Sequence, residues 1–235
     1  MAKVIIFSGA GISAPSGIST FRDSGGLWEK YKIEDICTSG CLKTNRNETI
    51  EFYDKRREDI KDKKANHAHK MIAKLQKNYF SDIKIITQNV DDMFEKAGCK
   101  DVLHLHGFLR EVYCEYCGFK RDIGYEAQKN RWETCPKCKR KLRPNIVFFG
   151  EPAPKYSDLY FQLQDCQMIV VIGTSGNVIN TDMFLNHQIK KSILNNLEPS
   201  HAIDESLYSK VLYKSATEAI DEIAVDIENF LLQTE

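Results

Sequence analysis

Three groups of residues have the types and spacing to do chemistry. Gly9-Ala10-Gly11-Ile12-Ser13-Ala14 comes directly after the apolar run at residues 4–7. A G-x-G-x-x-A turn between strand and helix lets the backbone bend tightly and approach a pyrophosphate, which the free N–H groups of the next helix stabilise. The acidic residue that ordinary dehydrogenases carry ~20 positions further on is missing, which argues against that class. Cys114-x-x-Cys117 is followed, after seventeen residues, by Cys135-x-x-Cys138. Two such hooks present four thiolates that close a tetrahedral sphere, the pattern of a structural zinc ribbon with no open position for water. His104-Leu105-His106-Gly107 ends another apolar run, and strand alternation predicts both imidazoles on one side. Gly107 allows something to approach closely. Thr87-Gln88-Asn89-Val90-Asp91 supplies an amide and a carboxylate at the end of a further run.

These groups need a scaffold that gathers loop ends. Short apolar runs at residues 4–7, 83–86, 102–105, 168–172 and 192–194 alternate with helical stretches, and several are followed at once by Gly, Asn or Ser. That alternation predicts an α/β fold, a Rossmann-like parallel sheet whose strand ends carry the site. Ser215-Ala216-Thr217-Glu218 has capping-box spacing, and Ile220, Ile223, Ile227 and Leu231 then recur at helical intervals, so the chain is expected to close with a helix docked on the sheet. Two stretches break the rhythm. A helical insertion at about 23–77 and a zinc ribbon at about 108–143 are read as a smaller lobe. The large lobe is expected over about 1–22, 78–107 and 144–235, with the site in the cleft between lobes.

Composition narrows the function classes. Of 235 residues, 33 are Lys or Arg and 33 are Asp or Glu, a formal net charge of zero. Binding of nucleic acid or a membrane surface through bulk charge is therefore not expected. Lys137, Lys139, Arg140, Lys141 and Arg143 are read as the solvated face of the ribbon. No apolar run reaches the ~18–20 residues that span a bilayer, and the N-terminal run is shorter than a signal h-region. A cytoplasmic location is the expectation, and there the paired cysteines are more fitting as metal ligands than as disulfides.

Taken together and in order, these blocks resemble the sirtuins, the NAD-dependent protein lysine deacylases. The matching stretches are residues 9–22, Thr87-Gln-Asn-Val-Asp91, His104-Leu-His-Gly107, the four cysteines, residues 143–151 and Gly173-Thr-Ser175. The resemblance covers nearly the whole chain and is nearest the compact bacterial desuccinylase/deacetylase type, class III. It also accounts for the missing acidic residue, since sirtuins bind NAD in an inverted manner relative to dehydrogenases.

The resemblance implies that the acyl-lysine amide oxygen attacks the nicotinamide ribose of NAD, giving nicotinamide, an alkylimidate, and finally free lysine and acyl-ADP-ribose. His106 would act as general base through the ribose hydroxyls, a step that needs neutral imidazole. Asn89 would position the ribose or a water. Asp91, with the Ile12 backbone, would hold the carboxamide. Phe21 would shield the reactive face and Arg22 would meet phosphate. The implied NAD contacts are Gly9, Ala10, Gly11, Ile12, Ser13, Ala14, Ser16, Gly17, Ile18, Thr20, Trp28, Gln88 and Val90, with Gly173, Thr174 and Ser175 at the phosphate and ribose end. Asn196, Leu197, Glu198 and Ala216 are placed at the adenosine end. The acyl-lysine peptide would add as a strand between Val147, Phe149, Gly150 and Glu151 on one side and Gly176, Asn177 and Val178 on the other. Val178 is followed by Ile179-Asn180 where many relatives have an aromatic residue and a proline. Expected partners are acyl-lysine proteins or peptides and NAD, with one structural zinc.

The acyl group is addressed by Glu51-Phe52-Tyr53-Asp54-Lys55-Arg56. Tyr53 and Arg56 are spaced i,i+3, so a helix presents both on one face, and a phenol with a guanidinium can pair a carboxylate. This Tyr-x-x-Arg pattern is similar to that of sirtuins that remove succinyl and malonyl groups, with Cys37 in the channel segment. The plainer alternative is that Tyr53 packs and Arg56 pairs Glu51 or Asp59. At the level of function the alternatives are a plain deacetylase, a protein ADP-ribosyltransferase, and a zinc-ribbon module that only senses NAD.

Overall fold

The computed structural model describes residues 2–19 and 31–233. In chain order the strands are β1 (Val4–Ser8), β2 (Ile83–Thr87), β3 (Leu103–His104), β4 (Gly107–Tyr113), β5 (Lys120–Asp122), β6 (Arg143–Ile146), β7 (Met168–Ile172), β8 (Lys191–Asn196) and β9 (Lys210–Tyr213). The helices are α1 (Ile33–Ile36), α2 (Cys41–Thr44), α3 (Arg46–Lys61), α4 (His67–Asn78), α5 (Met93–Ala97), α6 (Gln128–Arg131), α7 (Tyr156–Leu163) and α8 (Ala216–Gln233).

A six-stranded sheet runs in the order β3-β2-β1-β7-β8-β9, every pairing parallel. Parallel sheets need both faces covered, and the central strands β1 and β7 are buried at every residue. Val4, Ile6, Val170 and Ile172 point into one cluster with Ile72 and Leu75 of α4 and Ile220, Ile223 and Ile227 of α8. Ile5, Phe7, Ile169 and Val171 point the other way, onto Leu159 and Leu163 of α7 and onto Phe184. The strand order reverses between β1 and β7, so a crevice is expected at their carboxyl ends. β9 is a strand that the apolar pattern does not mark. It lies at the sheet edge with a single buried residue, Leu212, and so carries little apolar signal.

Helix α8 begins as the capping box predicts, but only one arm of the box forms. The Ser215 N–H and hydroxyl both donate to the Glu218 carboxylate, at 3.1 and 2.6 Å, while the Glu218 N–H goes to the Ser215 carbonyl at 3.0 Å. Helix α4 is capped by Asn66, whose side chain accepts from the N–H groups of Ala68 and His69. Its buried face belongs to the sheet cluster.

A second, three-stranded sheet, β5-β4-β6, is antiparallel and sits beside α1, α2, α3 and α6. Gly107 opens β4 at φ 93°, where a Cβ would stand 1.9 Å from the Asn145 carbonyl. The close approach foreseen at this glycine is therefore to β6. Arg57 of α3 is wholly buried, pairs with Asp54 at 3.1 Å and donates to the Tyr53 carbonyl. Asp54 in turn accepts from the Gln128 N–H at 2.7 Å, which ties α3 to α6. The lobes are stitched by backbone bonds: the Phe149 N–H donates to the Cys37 carbonyl, and the Ser39 N–H to the Phe149 carbonyl. Among the described residues no helix is long and apolar enough to cross a membrane.

Candidate active site

The carboxyl ends of β1 and β7 meet backbone to backbone. A Cβ on Gly9 would lie 2.7 Å from the Gly173 carbonyl oxygen, one on Gly11 2.6 Å from the Gly173 Cα, and one on Gly173 2.5 Å from the Ile12 nitrogen. The Gly11 N–H donates to the Gly173 carbonyl at 2.9 Å. These glycines thus let two loops interlock as well as leaving room for a ligand. Beyond β1 the chain does not enter the regular helix that the glycine turn suggests. Residues Ala10–Ile12 and Ala14–Ser16 form two short 3-10 turns, with Pro15 near the start of the second and Gly17 at φ 78° ending it. Ser16 accepts from the Asn66 amide at 3.1 Å, and Ile18 is buried in the smaller lobe's core.

Asn89 and Asp91 come off the end of β2 into this crevice. The Asn89 amide donates to the Gly9 carbonyl at 3.0 Å and to the Ser13 hydroxyl at 3.2 Å. Gln88 donates to the Thr174 hydroxyl at 3.0 Å, linking the β2 and β7 loops. Val90 accepts from Leu109 through its carbonyl. Asp91 is buried and accepts from the Met93 N–H at 3.1 Å. Burial pushes its carboxyl above the usual range, opposed by that N–H, the Ser13 hydroxyl and the charge of His104. Ser13 also meets the buried His69 ring at 3.5 Å, and burial holds His69 down to about 4.

The two histidines part company. His104 places Nδ1 on the Asn89 carbonyl at 2.8 Å and Nε2 on Glu95 of α5 at 2.9 Å. His106 places Nδ1 on the next carbonyl back, Gln88, at 3.1 Å, and Nε2 on the Tyr156 hydroxyl of α7 at 2.9 Å. The expected same-side alternation fails because β3 ends at His104 and the chain turns into β4 at Gly107. A carbonyl can only accept, so His106 carries its proton on Nδ1 and presents the Nε2 lone pair. Burial lowers its pKa, which keeps the ring neutral at pH 7. Tyr156 is a neighbour that no sequence motif marks.

The remaining candidates fall around this edge. Ser175 accepts from Ser200 through its carbonyl at 2.6 Å. Asn196 ends β8 with its side chain buried, Leu197 and Glu198 come next and are exposed, and Ala216 is buried at the start of α8. Val147 donates its N–H to the His106 carbonyl at 2.9 Å, which sets residues 147–151 beside the base. The Glu151 carboxylate takes both Arg143 guanidinium nitrogens at 2.8 Å and the Phe148 N–H at 3.0 Å, bracing that loop from within. Opposite, Gly176 is at φ 75° against Ile203, Asn177 and Val178 are exposed, and Ile179 enters the core. Asn180 caps the next short 3-10 turn by accepting from the Asp182 N–H at 2.8 Å, a local role in place of a proline. Thr20, Phe21, Arg22 and Trp28 lie outside the described residues.

On α3, Tyr53 is buried, stacks on Phe148 and places its hydroxyl 3.4 Å from the Cys37 thiol. Burial pushes both groups up, and the positive charge of Arg56 opposes the rise at each. Glu51 pairs with Lys55 at 2.6 Å and Asp59 with Lys63 at 3.8 Å on the same helix.

The four ribbon cysteines bring their Sγ atoms within 4.8 Å of one another, with Cys114 to Cys138 at 3.5 Å and Cys117 to Cys135 at 3.6 Å. A tetrahedral Zn–S sphere of ~2.3 Å has edges of about 3.8 Å. The donor set fits a structural zinc. The four thiols titrate together: backbone N–H groups and neighbouring thiols lower Cys114 and Cys135, while hydrogen bonding within the cluster raises Cys117 and Cys138.

Comparison with known proteins agrees with this arrangement. The Sir2 family model matches residues 9–180. An NAD-dependent protein deacylase of Campylobacter jejuni is 45% identical over 232 residues, covering 98% of each chain. One of Helicobacter hepaticus is 40% identical, over 99% of this chain and 100% of that one. A solved Sir2 homologue in complex with NAD superposes with a TM-score of 0.84 at 30% identity, covering 97% of this chain and 90% of the other. A mutant Sir2 homologue in complex with ADP-ribose gives a TM-score of 0.85 at 29% identity, over 97% and 92%. By the family match over residues 9–180 and by relatives of 40–45% identity along nearly the whole chain, this chain belongs to the Sir2 family, the sirtuins.

Proposed function

We propose that this chain is an NAD-dependent protein lysine deacylase with His106 as its general base and Tyr53 and Arg56 selecting acyl groups that end in a carboxylate. The observation that carries the reading is the state of His106: neutral, with Nδ1 tied to the Gln88 carbonyl and Nε2 directed away from it. A base must be unprotonated at working pH, and the bond from Nδ1 to the Gln88 carbonyl fixes the tautomer in which Nε2 is the acceptor.

NAD would be held by the turn at Gly9–Ile12, the Gly173–Ser175 loop and the Gln88–Asp91 segment, and it supplies the ribose carbon that accepts the acyl oxygen. Asn89 has a donor group already ordered by Gly9 and Ser13, suited to orienting a ribose hydroxyl or a water. Asp91, whose carboxyl is raised by burial, suits hydrogen bonding to an amide group. His106 takes the proton from the hydroxyl presented to Nε2. The acyl-lysine segment would lie between residues 147–151 and 176–178 as an added strand. Cys114, Cys117, Cys135 and Cys138 would hold one Zn2+ that shapes the smaller lobe and takes no part in the chemistry.

For the acyl end, Arg56 supplies charge and Tyr53 a hydroxyl whose present neighbour is a neutral thiol, so a carboxylate would find two donors there. Steady-state nicotinamide release from NAD should depend on an acyl-lysine peptide and fall steeply in His106→Tyr, where turnover stalls for want of the base. Turnover that persists in the variant would remove His106 from the mechanism, release that does not depend on the peptide would favour ADP-ribosyl transfer, and no release from the wild type would favour NAD sensing.

A further inference from the structure

Among the described residues, Tyr156 is the one hydroxyl that meets the reactive nitrogen of His106. It is the first residue of α7, its ring is partly buried against the cluster that includes Leu159 and Leu163, and its oxygen lies 2.9 Å from Nε2. The rings are 6.0 Å apart and tilted by 43°, so the hydroxyl contact rather than stacking joins them. The direction of this bond is fixed by the rest of the site. Nδ1 spends its proton on the Gln88 carbonyl, Nε2 is therefore the acceptor, and the phenol must donate. A lone pair that already accepts one strong donor in a part-buried site cannot at the same time take a proton from a substrate hydroxyl.

We propose that Tyr156 is a positioning residue that caps the Nε2 lone pair of His106 in the ligand-free enzyme and is displaced when the ribose hydroxyls enter. The inference rests on the reading of His106 as the base. Before ligand arrives, the cap keeps the buried nitrogen satisfied and holds the ring in the tautomer it needs. On binding, one hydrogen bond is exchanged for another. The phenol is left to turn toward solvent, which α7 allows because residues 157 and 158 beside it are exposed. Burial and the neighbouring Tyr160 raise the Tyr156 pKa, so the hydroxyl remains a donor throughout the working range.

The exchange makes the cap a competitor of the ligand, with the worth of one hydrogen bond, about fivefold in affinity. ADP-ribose is the probe, because it carries the ribose hydroxyls and cannot turn over. Its Kd would be measured for the wild type, Tyr156→Phe, His106→Ala and the double variant, with His106→Asn as a second background. The proposal expects Tyr156→Phe to tighten ADP-ribose about fivefold when His106 is present and to have no effect when it is absent. In turnover, KM for NAD should fall while kcat is kept. An unchanged Kd, or the same change with and without His106, would overturn the cap. A tenfold or greater loss of kcat in Tyr156→Phe would overturn it in another way, since the phenol would then be carrying the proton. If His106→Ala kept full turnover, the base assignment would fail, yet the Kd cycle would still report on the cap.

Discussion

The proposed reaction centre and the proposed acyl pocket are built from different material. At the carboxyl edge of the sheet the parts are backbone: three glycines packed within Cβ-forbidding distance, and carbonyls of Gly9, Gln88 and Asn89 that hold the functional side chains. At the proposed pocket the parts are side chains: Tyr53 of α3 lies against Cys37 and Phe148, and Arg56 of the same helix acts on Cys37 through its charge. The first arrangement tolerates almost no change because a Cβ has nowhere to go. The second can be retuned by single substitutions. On the proposed assignment, chemistry and acyl selectivity would reside in parts of the chain with different freedom to vary.

The largest effect expected from breaking this division is at the base. His106→Tyr should lower turnover about 10²–10⁴-fold for every acyl peptide alike, read as nicotinamide release. Removing zinc comes next and acts on the pocket's side of the molecule. Chelation, or Cys135→Ser, should raise hydrogen exchange across β4, β5 and β6 while β1 and β7 stay protected, and acyl selectivity should decline before ADP-ribose binding does.

The buried His69 sharpens the comparison through pH. Its folded pKa, about 4, is below its unfolded value near 6.5, so protonation favours the unfolded chain. The stability it allows is complete above about pH 6.5 and is lost as pH falls toward 4, by about 3 kcal/mol across that window. Acid melts should show this loss, and His69→Gln should flatten it. His106, also depressed by burial, should put the acid limb of kcat/KM below pH 6.5, with activity rising as pH increases through it. Arg56→Met should cost about 1.5–3 kcal/mol of transition-state binding for succinyl peptides. Gly11→Ala, which forces a Cβ 2.6 Å from Gly173, should cost about 1–3 kcal/mol of stability, measured by thermal melt.

The same contrast governs how much of the molecule is legible in its sequence. The parallel sheet is legible because β1 and β7 are continuous apolar runs buried on both sides, and the ribbon because four cysteines at that spacing have few other uses. β9 is not, since an edge strand with one buried residue looks like a loop. The glycine turn predicts a regular helix after Gly11, but Pro15 and Gly17 shorten it to 3-10 turns. Alternation pairs His104 with His106 only if it is carried past the last residue of a two-residue strand, and there it breaks. Tyr156 carries no motif: its link to His106 spans 50 residues and exists only once α7 is laid beside the β3 end.

Catalysis assigned to His106 and acyl choice assigned to Arg56 can be tested together in one assay. Matched acetyl- and succinyl-lysine peptides would be run side by side with NAD on the wild type, His106→Tyr and Arg56→Met, reading kcat/KM. The division predicts that His106→Tyr abolishes both activities, whereas Arg56→Met loses succinyl activity about 10- to 100-fold and leaves acetyl activity nearly intact. Equal losses on the two peptides in Arg56→Met would contradict it.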